Sequence, residues 1–278
     1  MMSARAFAPG NISGVFKIIA DDDPAKMHSL GLGLTVVDGV SVVVSSAPCS
    51  TVSFNGENVD FPTVTMLARR LYGEPLHVEI ESRLPLSSGF GLSGASTLAT
   101  AYAVNCLRAQ PCASEELAMQ AHIAEVENLT GLGDVCAQYH GGCLVKLTPG
   151  VPLDAQRLAV SDQPIYFRYF APISTKQVLS DKRRRVQVNG AADLALSELA
   201  KLTNNRQVDL RECIRISKQF AHDSGLLQND QVVDTIAAIE RAGGTASMIM
   251  LGEAVFSTIP FEGATETMFS VARARVLG

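Results

Sequence analysis

Tryptophan is absent from this 278-residue chain, aromatic residues make up 6%, and charged residues only 18%. The net charge of −5 removes any global reason to expect nucleic acid or anionic membranes as partners. The single basic cluster, Lys182-Arg183-Arg184-Arg185, is short and reads as a solvated face or a local anion contact. No run of about 18 apolar residues occurs, so no membrane-spanning helix is expected. No continuous apolar stretch precedes Pro9-Gly10, which argues against a signal peptide. Six cysteines (Cys49, Cys106, Cys112, Cys136, Cys143 and Cys213) form no C-x-x-C pair and no metal spacing. Reduced thiols and a cytoplasmic location follow as the expectation. Asp21-Asp22-Asp23-Pro24 reads as a solvated acidic turn rather than a metal site. The apolar content of 47% and the length suit one large domain or two modest ones around a sizeable core.

What is present is concentrated in Leu84-Pro85-Leu86-Ser87-Ser88-Gly89-Phe90-Gly91-Leu92-Ser93-Gly94-Ala95-Ser96. The alternating run Leu76 to Glu81 before it predicts a half-buried strand. The helical spacing of Leu98, Ala99, Tyr102, Ala103 and Cys106 after it predicts a buried helix over Thr97 to Ala109. A strand, a glycine-rich turn and a helix N-terminus bring free N–H groups and a positive dipole end together, as a phosphate requires. By letter, Gly89, Gly91 and Gly94 spell G-x-G-x-x-G, the dinucleotide fingerprint. Pro85 interrupts the approach, however, and Arg108 to Ala113 hold no acid for a ribose. A Walker A loop fails because Ala95 stands where its lysine must be. A plain structural turn and an NAD(P)-dependent oxidoreductase remain as alternative readings.

In chain order, Ala4 to Ala8 predicts a first strand turned by Pro9-Gly10. Two β-branched runs around Asp38-Gly39 predict a hairpin, and Asn55-Gly56 predicts another. Thr63 to Tyr72 predicts a helix stopped at Gly73. Ser114 caps a helix expected to run to Asn128, with Glu125 inward or on its margin. That carboxylate reads as a rim ion pair or a magnesium ligand. Asp134 opens a further short segment before Gly141-Gly142 and Cys143 to Leu147, a strand. Pro149 to Pro152 marks the expected boundary between domains at 1–150 and 151–278. The second half predicts a strand at Ile165 to Phe170 and helices around 176–184, 190–203, 207–222 and 230–241. Strands follow at Ala246 to Leu251 and Ala254 to Ile259, with a last helix from Ala264. Strands and helices in this order make an α+β architecture of two lobes.

Pro85-x-x-x-Gly89-x-Gly91-x-Ser93 resembles the phosphate loop of the GHMP kinase superfamily, usually P-x-x-x-G-L-G-S-S-A. This chain departs from it at Phe90, Leu92 and Gly94 and keeps the second serine as Ser93. Ala8-Pro9-Gly10 is similar to the superfamily's first motif, and Asp134 with Gly141 and Gly142 to its second. The third, glycine-rich motif has a weak counterpart in Gly243 to Met248. Further blocks, Ile173-Ser174-Thr175-Lys176-Gln177-Val178-Leu179-Ser180-Asp181 and Ala246 to Gly252, are similar to the archaeal pantoate kinase branch. The resemblance implies a two-lobed GHMP kinase fold, with a ribosomal S5 domain 2-like N-terminal lobe and a ferredoxin-like C-terminal lobe. It implies ATP-dependent phosphorylation of pantoate with Mg²⁺ as cofactor; homoserine or a mevalonate-pathway compound is the alternative acceptor. Pro85, Gly89, Phe90, Gly91, Leu92, Ser93, Gly94 and Ala95 would hold the nucleotide. Ser93 and Glu125 would hold the metal, and Asp134 would be catalytic. Asn11, Ser13 and Lys176 are the implied substrate contacts, with the Arg183–Arg185 run a second choice for the pantoate carboxylate. The expected partner is a small molecule, and a homodimer is left open.

Overall fold

The computed structural model describes residues 3–173 and 175–278; Ser174, within one of the branch-specific blocks, lies outside the described residues. The centre of the molecule is a pair of long antiparallel strands, β1 (Ser3–Ile19) and β2 (His28–Ser46). They pair from Ser3↔Ser45 to Ile19↔His28, with register shifts at Pro9/Asn11 and Ser13/Val15. Pro9-Gly10 is therefore an irregularity inside one strand, not the turn expected after Ala8. Asp38-Gly39 likewise lies within β2, with Gly39 opposite Pro9, so the hairpin expected there does not form. The hairpin turn is residues 20–27 instead, where Asp21, Asp22 and Asp23 are exposed as a solvated turn. Val40, Val42 and Val44 point inward and alternate with less buried neighbours, the period-two pattern of a strand packed on one face.

Strands β3 (Thr51–Phe54) and β4 (Glu57–Asn58) close the expected hairpin over Asn55-Gly56, both of positive φ, as its tight turn requires. Helix α1 (Pro62–Tyr72) ends at Gly73, φ +84°, and leads to β5 (Leu76–Ser82), antiparallel to β2. Helix α2 (Leu92–Leu107) starts inside the glycine-rich stretch, ahead of the Thr97 start that its apolar periodicity suggests. Every residue from Gly94 to Val104 is buried, and most are small, as expected of a helix packed on every side. Helix α3 (Ser114–Asn128) is capped by Ala113 without a side-chain bond, because Ser114 falls one residue inside it. Helix α4 (Asp134–His140) and β6 (Cys143–Lys146) complete the first half.

The second half adds β7 (Gln156–Leu158), β8 (Gln163–Pro172), α5 (Thr175–Ser180), α6 (Lys182–Leu202), α7 (Leu210–Asp223) and α8 (Asp230–Arg241). It closes with β9 (Ala246–Met248), β10 (Gly252–Ser257), β11 (Thr265–Phe269) and β12 (Arg275–Leu277). The helix expected from Ala264 is thus two strands. Thr267 and Phe269 face inward while Thr265 and Glu266 are exposed, and β11 completes an edge of β8. Strand β11 meets β2 at Phe269↔Val36, which joins strands of the two halves, and β12 pairs with β1. Nearly all the strand pairs are antiparallel, β3 with β5 being parallel, so the parallel sheet of a dinucleotide fold is absent from the described residues. No helix among them is long and apolar enough to cross a membrane.

Candidate active site

The glycine-rich stretch leaves β5 at Ser82 and reaches α2 through a chain of unusual backbone angles: Ser87 φ +59°, Gly89 φ +86° and Gly91 φ +60°. Gly91 is the N-cap of α2, with no side-chain cap and no acid in the first turn. The first intrahelical bond runs from Ala95 N–H to Gly91 O, which leaves the Leu92, Ser93 and Gly94 amides without helical acceptors. Such a terminus attracts anions. It faces a cleft of about 610 Å³, lined by Gly89, Phe90, Gly91, Leu92 and Ser93 on one side and by Phe61, Leu129 and Lys176 elsewhere. Pro85 does not line the cleft; its carbonyl accepts from Ser88 Oγ at 2.5 Å and shapes the turn. Gly94 and Ala95 are buried behind it.

The second half of the chain holds this loop from behind. Phe90 is fully buried and meets Phe167 of β8 edge to face, ring centroids 4.8 Å apart. A Cβ on Gly89 would stand 2.8 Å from the Met250 carbonyl oxygen, so glycine is required for this approach. The contact comes from Ile249 to Gly252, a turn with Leu251 at φ +63°. Gly243, the first residue of the expected third motif, follows the Ala242 C-cap of α8, and its N–H bonds back to Glu240 O.

Asp134 lines the cleft, and Glu125 is buried behind Ser93, which lines it too. Glu125 is buried, contrary to a place on the rim, and its Oε1 accepts from Ser93 Oγ at 2.7 Å and Thr97 Oγ1 at 3.1 Å. Asp134 Oδ1 accepts from Asn11 Nδ2 at 2.7 Å and Ser13 Oγ at 3.1 Å. The other two oxygens converge. A Cβ on Gly131 would lie 3.1 Å from both Asp134 Oδ2 and Glu125 Oε2. Glu125 Oε2 is buried without a hydrogen-bond partner. Burial pushes the Glu125 carboxyl up to about 7, the nearby Asp134 charge adding to it against the Ser93 bond. The enclosing protein also raises Asp134, opposed by its bonds from Asn11 and Ser13. A buried oxygen with no donor beside a second carboxylate and a hydroxyl is a donor set suited to a hard divalent cation. Among the described residues, no group of three or more His, Cys, Asp or Glu offers another metal site.

Behind Asp134 lies a small pocket of about 70 Å³, walled by Phe16, Leu30, Leu32 and Leu144 and by Asn11 and Ser13. Asp134, Ser13 and Leu251 belong to both the pocket and the cleft. The cation lining the pocket is Lys146 of β6, 9% exposed, whose Nζ donates to Val151 O. Burial lowers its pKa. Lys176 is exposed and lines the cleft but not the pocket. Arg183 and Arg184 lie on the exposed first turn of α6 and line neither space. Sequence reasoning missed Thr97 and Lys146, and the strand it expects over Ala246 to Leu251 ends at Met248, leaving Ile249 to Gly252 as the turn behind the loop. Lys146 had one signal, a charge closing the apolar run Cys143-Leu144-Val145.

Residues 61–142, which carry this loop and both carboxylates, match the family model described as the GHMP kinases N-terminal domain. The chain is 32% identical to the pantoate kinase of Methanospirillum hungatei JF-1, covering 91% of this chain and 86% of that one. It is 31% identical to the pantoate kinase of Methanocaldococcus jannaschii, covering 90% of each. A solved structure described as a phosphotransferase related to the coenzyme A biosynthesis pathway superposes with a TM-score of 0.86 at 25% identity, covering 99% of this chain and 98% of that one. The fold is that of a GHMP kinase. Within that class, the chain belongs to the pantoate kinase family.

Proposed function

We propose that the chain transfers the terminal phosphoryl group of ATP to the hydroxyl of (R)-pantoate, giving 4-phosphopantoate and ADP in coenzyme A synthesis. One observation carries this reading: Asp134 stands on the wall shared by the nucleotide-sized cleft and the small pocket behind it. Phosphoryl transfer depends on positioning and charge compensation, and a group between donor and acceptor can serve both substrates. The lobes are taken as residues 1–150, carrying loop and carboxylates, and 151–278, closing the cleft.

In this reading the amides of Leu92 and Ser93, which line the cleft, hold the phosphates, and Gly89 to Ala95 shape the loop that presents them. Ser93 Oγ and the unpartnered Glu125 oxygen would hold Mg²⁺. The ion, when bound, supplies positive charge to the phosphates. Asp134 accepts the hydroxyl proton as the acceptor oxygen bonds to the γ-phosphorus and the bond to the β–γ bridging oxygen breaks. Asn11 and Ser13 hold the Asp134 carboxylate and border the acceptor. Lys146 takes the acceptor carboxylate in the pocket, where the apolar wall suits the substrate's methyl groups. Lys176 lines the cleft and not the pocket, so in this reading it serves the phosphates and not the acceptor.

The test is ADP release with ATP and Mg²⁺ against pantoate, pantothenate, homoserine, mevalonate and phosphomevalonate. Turnover on pantoate, lost in Asp134→Ala, is expected. Turnover on homoserine or mevalonate instead would move the substrate and keep the mechanism.

A further inference from the structure

Gln138 is fully buried on α4, one helical turn after Asp134, and lines neither the cleft nor the pocket. Its Nε2 donates to the Gly91 carbonyl oxygen at 2.8 Å. The same oxygen accepts from Ala95 N–H at 3.0 Å, so it is held from two helices at once. Reversing the amide would set two carbonyl oxygens against each other, so the bonded orientation is the one the surroundings dictate. That orientation leaves Gln138 Oε1 buried without a donor, beside Gly94. A buried acceptor left unpaired calls for an explanation. The main chain of Gln138 is held as well: its carbonyl accepts from Ala274 N–H at 2.9 Å, which ties α4 to the segment before β12.

We propose that Gln138 is a positioning residue for phosphoryl transfer, tying the Gly91 peptide of the phosphate loop to the helix that carries Asp134. The proposal rests on the kinase reading above. The loop sets where the donor phosphates lie, and α4 sets where the proton acceptor lies. The Gln138 side chain spans them directly, and the Asn11 N–H to Phe90 O bond of 2.8 Å is a neighbouring main-chain link. Because Gln138 touches neither cavity, its loss leaves both substrates bound and changes their alignment.

Two variants test this, Gln138→Met and Gln138→Glu, assayed beside the wild type with pantoate, ATP and Mg²⁺. Gln138→Met keeps the length and removes the donor. Its kcat is expected to fall by about 10–100-fold, the scale of a small misplacement of reacting groups, with both KM values nearly unchanged. In Gln138→Glu, the protonated carboxyl can donate to Gly91 O and the ionised one repels it. Burial raises such a pKa, so the ratio of its turnover to wild type should rise as pH is lowered. Wild-type kcat in Gln138→Met would overturn the proposal, as would a Gln138→Glu ratio that is flat across pH. If Gln138→Met does not fold, the pH profile of Gln138→Glu decides alone. Wild type that fails to turn over pantoate sinks the kinase reading and this assignment with it; active wild type with unaltered variants sinks only the assignment.

Discussion

Gly91 and Asp134 are in contact through the bare α-carbon of the glycine: a Cβ on Gly91 would stand 2.7 Å from Asp134 Oδ1. The same residue has φ +60° at the N-cap of α2, a conformation that costs an L-residue with a side chain about 1–2 kcal/mol. Gly91→Ala therefore meets two penalties, and both are relieved by moving the loop away from the carboxylate. Turnover should fall by about 10²-fold or more, as expected when reacting groups shift by an ångström. Steady-state kinetics with a thermal melt would check it. A variant with near-normal kcat would show that loop and carboxylate need not be this close.

The features legible in the sequence were those set by local chemistry. The Asn55-Gly56 turn, the Gly73 stop and the inward period of β5 follow from residues within a few positions of each other. Pro9-Gly10 and Asp38-Gly39 misled because they stand opposite each other in the β1–β2 pair, and only that long-range pairing turns two breaker pairs into one irregularity. Thr265 to Phe269 has little local preference; its strand exists because β8 offers an edge. For the site, glycine spacing and a family resemblance pointed to Ser93, Glu125 and Asp134, whose side chains the fold brings together. Gln138 stayed hidden, and Lys146 showed only as a charge closing an apolar run, because their contacts, to Gly91 O and Val151 O, depend on which loop passes over them.

Asp134 is the carboxylate that lines both spaces, and its Oδ1 is held by Asn11 and Ser13. Asp134→Asn keeps the size and removes the proton acceptor. We expect kcat to fall about 10²–10⁴-fold, the usual worth of a general base, with ATP affinity nearly intact. Calorimetric ATP binding alongside the rate assay separates the two. A variant retaining a tenth of wild-type kcat would exclude general-base work by this residue.

If Glu125 holds the metal as proposed, its proton, the metal and stability are coupled. Its folded pKa of about 7 lies above the ordinary 4.5, so the folded metal-free protein binds the proton more tightly than the unfolded chain. The sign follows: this group's contribution is most favourable below about 4.5 and is lost as pH rises through about 7. Buried His122, lowered to about 4 by desolvation, has the opposite slope, so the comparison must be made between variants. Without metal, the thermal midpoint of the wild type should fall relative to Glu125→Gln between these pH values. Adding Mg²⁺ should raise the wild type more than the variant, most clearly above pH 7. Parallel midpoint curves for the two proteins would refute the shifted carboxyl.

Lys146 lines the small pocket and not the cleft, so its replacement tests acceptor binding apart from nucleotide binding. Its ammonium lines the small pocket and is held there at a desolvation cost, donating to the Val151 carbonyl. A charge-assisted bond to a carboxylate is worth about 1.5–3 kcal/mol, or roughly 10–150-fold in affinity. Lys146→Met fills the same space without charge, so the KM for pantoate should rise by about that factor. The KM for ATP should stay put, because Lys146 is absent from the cleft lining. Lys176→Ala is the control: as an exposed residue of the cleft it should act on the ATP side and leave the pantoate KM nearly unchanged. The reverse pattern, with pantoate KM moved by Lys176→Ala and not by Lys146→Met, would place the acceptor carboxylate in the cleft and the pocket outside the reaction.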